Sequence, residues 1–196
     1  MGVLRILVMV AAAVILAFVG FYAYLGGFSN VEASRGSFEE TEIIFAVHKG
    51  PYQQVYRAWE SFDAAREEVG LEACDGLSVY LDGPETPREE ARTVIGCGID
   101  NVTEDLKEAL RARFPSTVLP SAEAMTATFP YKNPMSFAIG PMKVFPVLQE
   151  RMAAEGHEAS LGIETYGDVD AITEMTYYLP FGVAQGAYAP LYDAFE

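Results

Sequence analysis

Residues 160–168 read "SLGIETYGD". The run is expected to be a β-strand, on which residues two apart share a face. Glu164 and Tyr166 therefore point the same way, and the ring marks that face as the buried one. A carboxylate there is costly unless it finds a partner or takes up a proton. The earlier run "LSVYLDG" (77–83) has the same character, and its Tyr80–Asp82 pair matches Tyr166–Asp168.

The likeness extends outward from these two strands. "EIIFAVHKGPY" (42–52) reads as a strand that ends on Pro51–Tyr52, and "TATFPY" (126–131) as one that ends on Pro130–Tyr131. A helical pattern follows each. From Gln53 to Val69 the residues Val55, Trp59, Phe62 and Val69 form one apolar stripe, and Gly70 stops it. A second helical region reaches about Ala154, with Val144, Leu148 and Met152 on one stripe. Of its prolines, Pro141 and Pro146, one is expected to open the helix and the other to kink it. After each helix comes a strand of the Tyr-x-Asp type. A polar link then leads to the last strand of each half, "RTVIGCGI" (92–99) or "EMTYYLPF" (174–181).

The pattern is an internal duplication of a β-α-β-β unit. It predicts an α+β fold, a pseudo-twofold antiparallel sheet with helices on one face and a central cleft between them. The expected boundaries are repeat one at 42–100, a connecting helix at 101–120 and repeat two at 121–181. The connector contains "VTEDLKEALRARF", with Thr103 as N-cap. Residues 26–41 read as linker and approach, and 182–196 as a short tail. Aligned position for position, Glu164 of the second unit faces Ser78 of the first. The acid breaks the symmetry, which points to a ligand-facing role.

The chain has 196 residues, a formal net charge of −15 and a pI near 4.4. That balance argues against nucleic-acid binding, which needs a basic face. Residues 6–25, "ILVMVAAAVILAFVGFYAYL", hold no charged side chain and are long enough to cross a hydrocarbon core of about 30 Å. The apolar region of a cleaved signal is about 7–15 residues. The reading is therefore a single-pass anchor over residues 1–25. Arg5 precedes the uncharged run, and the positive-inside bias then favours an exported domain if the source is bacterial, with the cytosolic face as the alternative. Cys74 and Cys97 lack metal-type spacing and read as two buried thiols, with a disulfide as the alternative. His48 and His157 stand alone, so neither haem nor another cofactor or metal is expected.

The pieces "VEASRGS" (31–37), "HKGPY" (48–52), "LSVYLDGP" (77–84), "TATFPY" and "IETY" (163–166) resemble the GyrI-like (SOUL/GyrI, AraC effector-binding) superfamily over roughly residues 30–181. Within it the anchor and these pieces resemble a single-pass ER-membrane branch that includes a testis-expressed ER-phagy receptor, whose domain faces the cytosol and whose long C-terminal tail has no counterpart here. The resemblance implies a twin β-α-β-β fold with a central pocket for small hydrophobic or cationic molecules. It also implies a ligand-facing acid at Glu164. No helix-turn-helix segment is present, so a drug-responsive transcription factor is not expected.

The predicted ligand-binding residues are Glu164, Tyr166, Trp59, Tyr52, Phe129 and Tyr131, with Glu174 as a substitute acid. Aromatic rings and one carboxylate suit a cation. For Trp59, core packing is the simpler reading. Three functions follow. The leading one is a membrane-anchored module that binds a small apolar or cationic molecule. The others are a hydrolase with Glu164 as general base and a ligand-free membrane adaptor.

Overall fold

The computed structural model describes residues 2–83, 85–159, 161–184 and 186–196. Ser160, at the head of the stretch quoted above, and Pro84, in the polar link, lie outside the described residues. The apolar N-terminus forms α1 (Gly2–Tyr24), which buries none of its side chains in the protein and is long and apolar enough to span a membrane. Twelve further strands and α-helices follow among the described residues. They are β1 (Ser34–Phe38), β2 (Thr41–Lys49), α2 (Val55–Val69), β3 (Asp75–Tyr80), β4 (Arg92–Gly98), α3 (Glu104–Arg113), β5 (Ser116–Leu119), β6 (Ala122–Pro130), α4 (Ser136–Ala154), β7 (Gly162–Asp168), β8 (Glu174–Phe181) and α5 (Ala189–Asp193).

The eight strands form one curled antiparallel sheet in the order β1-β6-β8-β7-β3-β4-β2-β5. Its centre is the β7–β3 pair, and the strand order reads alike outward from there. Each unit contributes three strands to its own half. Its leading strand goes to the other half, so that β1 pairs with β6 and β5 pairs with β2. Residues 34–38, expected within the linker, are thus an edge strand. The segment expected as a connecting helix contains α3 and then β5.

α2 packs chiefly on β2 and β4, and α4 on β6 and β8. Phe62 of α2 is buried, as are Val144, Leu148 and Met152 of α4. Each such side chain contributes about 1.5–3 kcal/mol of burial energy. Arg66, on the same buried side of α2, is 1% exposed. Its guanidinium donates to Asp63 Oδ1 at 2.8 Å and to the carbonyls of Leu71 and Glu72, both at 2.7 Å. It thereby ties down the turn after Gly70, which ends α2 with φ +103°. Neither proline opens α4. The helix starts at Ser136, and Pro141 and Pro146 both lie inside it. The Ser136 hydroxyl instead accepts from the Lys132 backbone N–H at 3.0 Å and secures the turn before the helix.

The opposite face of the sheet carries Ile43, Phe45, Leu77, Val79, Val94 and Ile163, and the C-terminal segment covers it through Tyr188 and Leu191. The stretch read as a tail is part of this core. Cys74 and Cys97 are buried and joined in a disulfide across the β3–β4 hairpin, with their Cα atoms 5.2 Å apart. Antiparallel pairing supplies the proximity that a sequence separation of 23 does not announce.

Candidate functional site

Glu164 lies on β7 directly opposite Ser78 of β3, at the centre of the sheet and on its helix-bearing face. It has no exposed surface. Alternation along the three central strands brings hydroxyls to it. Tyr80, two residues beyond Ser78, donates to Glu164 Oε2 at 2.5 Å, and Tyr177 of β8 donates to Oε1 at 2.8 Å. Tyr166 donates to Ser78 Oγ at 2.7 Å, so both residues of the central pair belong to one hydrogen-bonded group.

Aromatic rings wall this group on two sides. From α2 and the turn before it, Tyr52 meets Tyr80 edge-on at 5.2 Å and Trp59 meets Tyr166 at 6.0 Å. From α4, Phe145 contacts Tyr80 at 5.5 Å and Tyr177 at 5.4 Å, while Phe137 contacts Tyr166 at 5.2 Å. Tyr131 reaches the cluster at one remove, 5.2 Å from Phe137. Gly140 lets α4 come close to β8, because a Cβ there would overlap the Tyr177 hydroxyl.

Phe129 lies in the same buried cluster as Tyr166 and Tyr177, and Glu174 is exposed at the end of β8 opposite Pro130. Among the described residues neither is hydrogen-bonded to the tyrosine group or ring-paired with it. Sequence reasoning missed Tyr80 and Tyr177 as site residues. Tyr80 could have been found from its spacing to Ser78. Tyr177 could not, because "YY" leaves open which of the two rings faces the helices. The lone histidines are accounted for locally. His48 Nε2 sits 3.2 Å from the Pro51 carbonyl, and His157 stacks on Phe181 at 4.1 Å.

Burial pushes the Glu164 carboxyl up to about 7, against the pull of the hydroxyls of Tyr80, Tyr177 and Tyr166. No basic side chain among the described residues pairs with it. Tyr80 and Tyr166 are held well above the usual phenol value by burial and then by the adjacent carboxylate. The group can thus donate hydrogen bonds throughout the physiological range, while its acid gains or loses a proton near neutrality. Two open hollows lie elsewhere, one between Thr41, Asp75 and Tyr178 and one between Pro120 and Phe181. Glu164 itself has no exposed surface, so a guest that touches it must displace a ring, and Tyr80, held between Tyr52 and Phe145, is the one of its three tyrosine neighbours that is not fully buried.

A stability test follows. The folded carboxyl titrates above its ordinary value of 4.5, so folding takes up a proton in between. Stability from this group therefore falls as pH rises from about 4.5 to about 7, by about 3 kcal/mol in all. Glu164→Gln lacks this slope. Subtracting chemical-denaturation curves of the two proteins at a series of pH values isolates it, and the variant is expected to be the more stable at pH 8.

No protein-family model and no curated protein matches the sequence. Solved structures do match. The EcmrR C-terminal domain superposes with a TM-score of 0.57 at 10% identity, covering 79% of this chain and 99% of that one. The structure of SAV2435 bound to tetraphenylphosphonium gives 0.53 at 11% identity, covering 76% and 93%. The Vibrio cholerae integron cassette protein VCH_CASS2 gives 0.53 at 13% identity, covering 78% and 99%. The chain shares the fold of these domains. At these identities the likeness concerns the fold alone.

Proposed function

We propose that this GyrI-like domain binds a small lipophilic cation in the aromatic groove between α2 and α4, with Glu164 as its counter-charge and α1 as a membrane anchor. One observation carries the reading: a fully buried carboxylate without a cationic partner among the described residues, ringed by tyrosines and aromatic walls. Burial alone disfavours its charged form. A cation over tyrosine faces supplies both the missing charge and cation–π attraction. The structural neighbour SAV2435, captured with tetraphenylphosphonium, makes a lipophilic cation a reasonable first probe.

The Cys74–Cys97 disulfide supports an oxidising compartment for the domain. Arg5, in the first turns of α1 and ahead of its uncharged run, agrees with a cytoplasmic N-terminus and an exported domain.

The test is titration of the full-length protein in nanodiscs with tetraphenylphosphonium, with empty nanodiscs as the blank. Trp59 is the sole tryptophan and its ring lies at the groove, so its emission reports occupancy. Saturable binding with the cation recovered unchanged is expected. Signal that grows without saturation, as in the blank, overturns the reading.

A carboxyl that titrates near 7 also suits a general base, and this favours a hydrolase as the second reading. Turnover of an activated ester by the wild type, abolished in Glu164→Gln, would select it.

A further inference from the structure

The protein is strongly acidic, yet no Asp or Glu occurs between Glu123 and Glu150, nor between Glu42 and Glu60. The first gap includes the exposed half of α4. There Met135, Phe137 and Met142 are 50%, 37% and 78% exposed, and Pro134, Ala138 and Pro146 are exposed beside them. A soluble helix of this length ordinarily turns charged residues outward. The only charge on α4 before Glu150 is Lys143, and it does not face solvent freely. Its Nζ donates to the carbonyls of Gly27 at 2.6 Å, Ser29 at 2.8 Å and Gly26 at 3.4 Å, the residues that immediately follow α1.

These contacts fix where α4 lies relative to the apolar helix. Leu25 is 1% exposed, and Gly26 sits against Phe129 and Pro130 at the end of β6. The segment between α1 and the domain is therefore docked. At 100° per residue, α4 turns Lys143 toward the α1 flank and Phe137 and Phe145 toward the groove. Met135, Ala138, Met142 and Pro146 form the outward ridge between the two. Phe28, 67% exposed and packed edge-on against Tyr22, continues the apolar surface at the end of α1.

We propose that this ridge of α4 rests in the headgroup layer of the membrane that α1 spans, so that the Glu164 groove opens onto the lipid surface and takes its ligand from the bilayer rather than from bulk water. The occupant is a lipid surface because the ridge is continuous with a helix apolar enough to span one, and because it is the part of an acidic chain cleared of the carboxylates that anionic headgroups would repel. The inference rests on α1 as an anchor and on the groove as the ligand site.

The test uses full-length protein in phosphatidylcholine nanodiscs whose acyl chains carry bromine, which quenches nearby indoles. In a Trp59→Phe background, one tryptophan is placed at Met142, at Val10 in α1, or at Asp193, exposed on α5 across the sheet. Met142→Trp is expected to be quenched several-fold more strongly than Asp193→Trp, with Val10→Trp quenched most. If Val10→Trp is quenched and Met142→Trp matches Asp193→Trp, the proposal is overturned while the anchor stands. If Val10→Trp escapes quenching, the anchor and this proposal fall together. The groove reading is judged separately by the tetraphenylphosphonium titration.

Discussion

Glu164→Gln is expected to weaken tetraphenylphosphonium binding about ten- to a hundredfold, the value of one charge-assisted contact of about 1.5–3 kcal/mol. The substitution keeps the shape of the side chain and removes its charge. The pH dependence makes the result specific. Only the carboxylate attracts the cation, and the carboxyl of the free protein titrates at about 7. Wild-type affinity should therefore rise about tenfold per pH unit below 7 and level off above it. The variant should bind weakly with no such slope. Fluorescence titration between pH 5 and 8 reads both curves. Unchanged affinity together with a lowered melting temperature would make Glu164 a structural acid and sink the binding proposal.

Loss of the Cys74–Cys97 bond is expected to cost about 3 kcal/mol, the chain-entropy value for a loop of this length. Cys74→Ala with Cys97→Ser should show it as a lower urea midpoint, and reduction of the wild type should reproduce it. The bond is buried beside Ile95, Ile99 and Phe62, so reduction should require partial unfolding. In non-reducing gels of the protein taken from cells with alkylated free thiols, neither cysteine should carry the alkylating label. Labelling of both, with equal stability of reduced and unreduced protein, would remove the disulfide and with it the argument for an oxidising compartment.

The core of the architecture was legible because each repeat helix carries a stripe long enough to read, as in Val144, Leu148 and Met152, and because strand, helix and strand recur in the same order. The edges were not. β1 is "SRGSF", with four exposed residues and no apolar alternation to betray it. It pairs across the pseudo-twofold with β6, a partner that only the assembled sheet reveals. α5 has five residues, too few for a helical period, and its Leu191 is buried by tertiary contact alone. The disulfide and the buried Arg66 were hidden for a related reason. Both depend on where a turn returns the chain, not on spacing. At the site, the sequence distinguished Glu164 and Tyr166 through strand alternation. Tyr177, Phe137 and Phe145 needed strand register and helix placement to join them.

The pairing of Ser78 with Glu164 across the central strands has a geometric consequence. Opposite residues on an antiparallel pair lie about 5 Å apart at Cβ. Had both units kept the acid, two carboxyls would share one proton there, and a guest turned end for end would meet the same surroundings. With a hydroxyl on one side and an acid on the other, the groove has a head and a tail. An asymmetric guest then has one preferred pose, with its charge toward the second unit and its apolar body along the aromatic walls. Divergence at a single position thus gives a twofold scaffold a sense of direction.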